Sequence, residues 1–227
     1  MCGRTSLYVD PDDIVERFDA ALDFEYERRY NVAPADDLAV IPDDREETIT
    51  RQEWGLVPSW ADDPDAGPRP INARAETVDE KPTFRVPFER QRCLVLADGF
   101  YEWGGSRGSK QPYRIHLADD EPFAMAGLWD RWENGTTIES VTIVTTEANE
   151  IVAPIHDRMP VILDPDEERD WLHADPSMAH DLLDPYGGDD LETYPISTAV
   201  NDPSNDSPEV LVPDDRGEQS GLGDFGV

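Results

Sequence analysis

The chain has 227 residues and carries 51 Asp and Glu against 19 Lys and Arg, a formal net charge of −32 at pH 7. This length can bury the core of one ordinary domain or two small ones, and 38% apolar content with only short runs such as Leu94 to Ala97 excludes the ~20-residue segment of a membrane-spanning helix. Two cysteines, Cys2 and Cys93, without C-x-x-C spacing offer neither a disulfide framework nor a zinc site, and a start lacking a signal-peptide pattern predicts a cytoplasmic protein.

In chain order, Asp10-Pro11 followed by Ile14, Val15, Phe18, Ala21 and Leu22 predicts an amphipathic helix over 11–22, with a capping aspartate and a first-turn proline. Leu38 to Ile41, Cys93 to Leu96, Tyr113 to Leu117, Phe123 to Leu128, Val141 to Val144 and Val161 to Leu163 read as strands bounded by Gly, Pro and Asp. Asn134-Gly135 predicts a two-residue hairpin turn between Leu128-Trp129 and Ile138 to Val144. Short helices are expected at Glu167 to His173 and Ser177 to Leu183. The stretch Ala61 to Pro68 is turn and loop, with apolar segments on both sides that need partners, so it does not divide the chain. The expectation is one α+β domain over 1–212 and a disordered acidic tail over 213–227.

Cys2 is the most informative position. Removal of Met1 would leave an α-amine, with a reference pKa of about 7.7 to 8.0, and a thiol, at about 8.5, on one residue. Such a pair condenses with an aldehyde to a Schiff base, and the thiol then closes a five-membered thiazolidine. Position alone favours the plainer alternative, a buried or disordered second residue with no role. Cys93, inside Arg92-Cys93-Leu94-Val95-Leu96, reads as strand core.

Glu102, between aromatics in Phe100-Tyr101-Glu102-Trp103, is placed for desolvation, which suits a carboxyl to proton transfer; a half-exposed strand residue is the equal alternative. His156, beside Asp157 and Arg158, is an acid-base candidate or a turn residue, whereas His116, His173 and His180 have no such setting. Asn72 offers donor and acceptor to a sugar or to backbone.

Charge is uneven along the chain. Between Arg69 and Arg92 six basic residues (Arg69, Arg74, Lys81, Arg85, Arg90, Arg92) face four acidic ones (Glu76, Asp79, Glu80, Glu89), a net of +2, which leaves −34 on the remainder. Arginine kept in such a window points to phosphate, and Trp54 or Trp60 just before it to base stacking. Only Lys81 and Lys110 are lysine, a composition expected of a high-salt medium. There the Debye length falls to about 3 Å and distant carboxylates no longer repel a nucleic acid.

Met1-Cys2-Gly3-Arg4, Tyr30-Asn31-Val32-Ala33-Pro34, Trp54-Gly55-Leu56-Val57-Pro58-Ser59-Trp60, Ile71-Asn72-Ala73-Arg74-Ala75-Glu76-Thr77, Gly99-Phe100-Tyr101-Glu102-Trp103 and Ile155-His156-Asp157-Arg158-Met159-Pro160 stand in one order along the chain. Together they resemble the SOS response-associated peptidase (SRAP) family, over residues 2 to about 210. The resemblance implies a single compact α+β domain with a twisted β-barrel-like core flanked by short helices, and a positive groove for single-stranded DNA.

It further implies capture of abasic sites by Cys2, with Asn72 holding the opened sugar and the α-amine region and with Glu102 and His156 handling protons. Arg4, Asn31, Trp60, Arg74, Arg85, Thr145 and Arg158 would line the DNA path. Peptidase activity would be at most self-removal of Met1. Neither metal nor organic cofactor is implied, the partner is abasic single-stranded DNA, and a monomer is expected. Two other readings fit Cys2 or the arginines: an N-terminal nucleophile amidohydrolase, and a noncatalytic single-strand binder.

Overall fold

The structure, a computed structural model, describes residues 2–106 and 110–214. The elements in order are β1 (Thr5–Leu7), α1 (Pro11–Phe18), β2 (Ala21–Leu22), β3 (Arg29–Val32), β4 (Asp37–Pro42), β5 (Thr48–Trp54), β6 (Asn72–Arg74), α2 (Pro82–Arg90), β7 (Arg92–Ala97) and β8 (Gly99–Gly104). Then follow β9 (Gln111–Leu117), β10 (Phe123–Glu133), β11 (Thr137–Glu147), β12 (Arg158–Pro160), β13 (Ile162–Leu163), α3 (Glu168–His173), α4 (Pro176–His180) and β14 (Leu191–Pro195). Among the described residues no helix is long and apolar enough to cross a membrane.

Five strands close into a barrel. Antiparallel pairings run β11-β10-β7-β4-β5, and β5 returns to β11 in parallel through Ser140 opposite Glu53 and Val141 opposite Trp54. Because side chains alternate across each strand, Val40, Trp54, Cys93, Val95, Met125, Val141 and Ile143 gather in one buried cluster. Ile41, Ile49, Leu94, Leu96, Ala124, Ala126 and Leu128 gather in the other, with Ile14, Phe84, Phe88 and Trp171 from the helices. The near-continuous apolar run of β7 reflects burial on both faces.

Gly127, opposite Cys93 on β7, leaves no room for a side chain. A Cβ there would lie 2.7 Å from both Cys93 Sγ and Val95 Cγ2.

A second sheet, ordered β14-β9-β8-β1-β3, packs Phe100, Ile115 and Val32 into the same cluster as the barrel's Trp54 and Val95. Its opposite face buries Tyr101 with Ile196, Val200 and Val210. The short β1 is tied down by Asp98, which is fully buried at the turn between β7 and β8. Its carboxylate accepts from Ser6 Oγ at 2.6 Å, Val9 N at 3.2 Å and Tyr8 N. Arg114, 2% exposed, lies against it and donates to Asp98 O at 3.0 Å and Tyr8 OH at 2.9 Å.

Several local expectations need correction. The first helix ends at Phe18, not at residue 22, because Asp19 takes the left-handed conformation (φ 48°) and Ala21–Leu22 then pairs in parallel with β5. Its start is as expected, with Asp10 capping Asp12 N. The hairpin loop holds three residues, since Glu133 pairs with Thr137; Gly135, at φ 77°, supplies the left-handed position. The last short helix spans Pro176–His180 instead of 177–183. Helix α2 was not anticipated, and Pro87 inside it is the reason: its first turn carries no cap bond and proline breaks the usual helical pattern.

Arg92 is not part of a nucleic-acid surface. It is 3% exposed and donates to Phe88 O at 2.8 Å, Leu172 O at 3.3 Å and Trp171 O, which satisfies carbonyls at the ends of α2 and α3. Arg69 pairs with Glu53. The tail expected to be disordered lies from residue 215 outside the described residues, while Pro213 bridges Ile196 and Asp214 N donates to Pro195 O at 2.8 Å.

Gly127→Ala should destabilise the protein by about 1–3 kcal/mol, the usual cost of overpacking a filled core. A denaturant midpoint unchanged from the parent would show that Cys93 and Val95 move aside freely.

Candidate functional site at the barrel mouth

The register of β1 on β8 sets the site. Thr5 pairs with Phe100 and Ser6 with Gly99, and Tyr101 N donates to Arg4 O at 3.0 Å. Residues 2–4 run on from β1 along β8, and the Glu102 charge is felt at the Cys2 thiol. On the other side, β6 follows the barrel's closing seam and pairs with β11, Ile143 opposite Asn72. The turn segment before β12 folds Ile155 against Gly104, where a Cβ would meet Ile155 Cα at 3.5 Å. Three separate parts of the chain thus converge on Cys2.

Cys2 is fully buried in the unprocessed chain. Its thiol lies 3.8 Å from Arg4 O, and its pKa is pushed up to about 12, first by burial and then by the Glu102 carboxylate. The thiol is therefore protonated at neutral pH. Asn72 Nδ2 donates to Cys2 O at 2.8 Å, which fixes the residue's backbone. Asn72 Oδ1 is buried and has no hydrogen-bond partner among the described residues, so an acceptor stands ready beside Cys2.

Glu102 is 2% exposed. Burial raises its pKa above the ordinary glutamate value, with the charge of nearby His156 pulling the other way. His156 Nδ1 accepts from Arg158 N at 3.0 Å, which places the proton of the neutral ring on Nε2. Asp157 Oδ1 also lies 3.1 Å from Nδ1, so the ring has a carboxylate neighbour when it becomes charged. Cys2, Asn72, Glu102 and His156 lie near one another: Asn72 bonds to Cys2, the Glu102 charge is felt at the Cys2 thiol, and the His156 charge is felt at Glu102.

The expected strand-binding residues divide into three groups. Arg4 is half-buried next to Cys2, with Nη1 donating to Asn31 Oδ1 at 2.8 Å and Val200 O at 2.7 Å. Asn31 is fully buried, and its amide spans Asp202 O and Asn205 O at 3.0 Å each. It holds Arg4 in place from beneath instead of presenting its own side chain.

Arg74, Thr145 and Arg158 form a second group at the far end of β11, since Thr145 pairs with Arg74 and with Pro160, and Glu147 with Arg158. Thr145 is 1% exposed and its hydroxyl donates to Ala73 O at 3.4 Å, while Arg74 is exposed. Trp60, 68% exposed, and Arg85, exposed on α2, stand apart from both groups. Trp60 lines a separate, largely apolar groove of about 600 Å³ with Pro58, Lys81 and Phe84. Among the described residues no cluster of His, Cys, Asp and Glu could hold a metal ion.

The stretch Val200 through Glu209, which by resemblance is the family's closing strand region, forms 3₁₀ turns at Thr198–Asn201 and Pro208–Leu211 instead of a strand. The 3₁₀ turn Thr198–Asn201 supplies Val200 O to Arg4, and Asn201 Oδ1 accepts from Trp103 Nε1 at 2.7 Å. Asp206 Oδ1 then accepts from Asn31 N at 2.9 Å. Short polar side chains in a loop carry no periodic signal, so the segment's part in ordering Arg4 and Trp103 appears only in three dimensions. Glu76 was also passed over, although it stands inside a quoted motif; its carboxylate grips Arg158.

Comparison with known proteins matches this geometry to a family. The model of the family described as SOS response associated peptidase (SRAP) matches residues 1–203. The abasic site processing proteins YoqW and YoaM of Bacillus subtilis are 45% and 46% identical over 221 residues, 93% of this chain and 99% and 97% of theirs. Abasic site processing protein HMCES of Xenopus tropicalis is 33% identical over 264 residues, covering 93% of this chain and 78% of that protein. The crystal structure of a Bacteroides thetaiotaomicron protein aligns with a TM-score of 0.86 at 28% identity, over 94% of this chain and 100% of the other. The matched span runs from the segment that carries Cys2 to the turn that holds Arg4, and the chain belongs to the SOS response associated peptidase family.

Proposed function

We propose that this protein senses abasic sites in single-stranded DNA and joins itself to them through Cys2 once Met1 is removed. The observation that carries the reading is the meeting of Cys2, Asn72, Glu102 and His156 at one barrel mouth. Relatives named abasic site processing proteins support it.

The chemistry follows from the groups in place. An abasic deoxyribose is a masked aldehyde, and a terminal aminothiol traps one. His156 donates a proton to the ring oxygen as the C1′–O4′ bond breaks, and the C1′ hydroxyl gives up its proton to solvent to leave the aldehyde. The α-amine then adds to C1′ to give a carbinolamine, which loses its hydroxyl as water to form an imine. The thiol finally adds to the imine carbon, its proton passes to the amine nitrogen by way of Glu102, and a thiazolidine results. Asn72 keeps Cys2 in place and offers Oδ1 to the amine or a sugar hydroxyl. The amine-led order needs no thiolate, whereas an amidohydrolase would need thiolate attack first.

Incubation with single-stranded DNA containing one abasic site should give a band that survives denaturing electrophoresis and is lost on Cys2→Ala or when Met1 is retained. A band that persists in Cys2→Ala rejects the proposal, as does its absence in the processed parent.

Glu102→Gln should slow crosslinking by about 10²-fold or more with little change in noncovalent binding; equal losses in both would remove Glu102 from proton transfer. The same variant tests its burial. A carboxyl whose pKa rises on folding keeps its proton where the unfolded chain has lost it, so stability falls as pH rises from the ordinary glutamate range through the raised value. Glu102→Gln should therefore melt higher than the parent at neutral pH, with the difference vanishing below the ordinary glutamate range. A variant that melts lower at neutral pH contradicts the assignment.

A further inference from the structure

Arg158 is engaged by an anion of the protein itself. Its Nη2 donates to Glu76 Oε2 at 3.0 Å, and Nη1 closes the fork on Glu76 Oε1. Nη2 also donates to Thr145 O at 2.6 Å, so the guanidinium is fixed from behind by the β11 backbone. The two partners differ in freedom. The Arg158 side chain is 10% exposed, whereas that of Glu76 is 48% exposed on the 3₁₀ turn Ala75–Thr77.

Glu76 also feels Arg74: its pKa is lowered, first by the hydrogen bond from Arg158, with the charge of Arg74 adding. A cavity of about 670 Å³ opens over the pair, lined by Arg74, Glu76, Thr77, Glu147, Asp157 and Arg158. Thr77 Oγ1 is buried without a partner among the described residues. Asp157 lies against His156, and Glu76 alone among the described carboxylates reaches the Arg158 fork.

A carboxylate presents two oxygens to a guanidinium with the spacing of two phosphodiester oxygens. We propose that Glu76 is a built-in stand-in for a backbone phosphate: it holds Arg158 in its strand-binding orientation in free protein and surrenders the fork to a DNA phosphate on binding. The inference rests on the single-strand reading above. The exchange swaps one anion for another at Arg158, so that contact neutralises no additional charge and adds little to the salt dependence of binding. Glu76 can leave because it is half-exposed on a turn, and Arg158 stays because Thr145 O holds it.

The test uses fluorescence anisotropy with an unmodified single-stranded oligonucleotide over a salt series, for the parent, Glu76→Gln and Glu76→Asp. Glu76→Gln should bind roughly three- to tenfold more tightly at about 0.1 M salt, with the slope of log K against log salt steeper by about 0.7, the increment for one more neutralised phosphate on a single strand. Glu76→Asp, which keeps the charge, should retain the parental slope. Binding by Glu76→Gln that is unchanged or weaker, with an unaltered slope, overturns the proposal and leaves Glu76 as a brace for Arg158.

A measurement on the parent alone guards against a variant that fails to fold. The carboxyl of Glu76, titrated by NMR, should sit below the ordinary glutamate range in free protein and return toward it with saturating oligonucleotide. A value that stays low in the complex overturns the proposal. A parent that crosslinks abasic DNA while Glu76→Gln behaves as wild type rejects this inference and leaves the proposed function standing; a parent that binds no single strand rejects both.

Discussion

Everything at the site depends on how the first few residues are held. A chain start is ordinarily frayed, because a terminal segment has few bonds to offset the entropy of ordering it. Here a single buried carboxylate, Asp98, collects Ser6, Tyr8 and Val9, and Arg114 lies beside it within the second sheet. Burial pushes the Asp98 pKa up, and the bonds from Ser6 and the Tyr8 backbone oppose that rise. With β1 locked to β8 in this way, the residues that precede it are held where the Glu102 charge reaches the Cys2 thiol. A slip by one residue would turn the side chains of residues 2 to 7 to the opposite face.

The barrel supplies the second half of the arrangement. Its closing seam is parallel, β5 on β11, and β6 continues along the same strand to deliver Asn72 at the mouth and Arg74 beyond it. β12 flanks the far end of β11, which sets Arg158 near Arg74. The two arginines therefore belong to strands, whereas Glu76 sits on a 3₁₀ turn and His156 just after the turn that precedes β12.

The charge distribution looks different in three dimensions. Of the basic window 69–92, Arg92 is buried at helix ends and Arg69 is paired with Glu53. What stays exposed is Arg74, Lys81, Arg85 and Arg90 against Glu76, Asp79, Glu80 and Glu89, so the excess of +2 read along the chain is gone from the surface. A run of residues with one net sign says nothing about which faces it occupies. That limit explains much of what the sequence could not reveal. Cys2, Asn72, Glu102 and His156 were legible because each is a chemically specific residue in an unusual local setting, and α1 was legible from Asp10, Pro11 and its apolar spacing. The parallel seam, the network around Asp98 and the four-way use of Asn31 were not, because each joins residues from distant parts of the chain with no local periodicity. The hairpin shows the intermediate case: Asn134-Gly135 located the turn correctly, but the cross-strand pair Glu133 and Thr137 set its length.

The central claim is that the α-amine and thiol of Cys2 act on one carbon. Tandem mass spectrometry of the nuclease-digested adduct, formed with abasic single-stranded DNA, tests it most directly. The account predicts a peptide beginning at Cys2 that carries the sugar remnant on both the amine and the sulfur, with no thiol left to alkylate. An adduct on Cys93 or a lysine, or one through sulfur alone with the α-amine free, would contradict it.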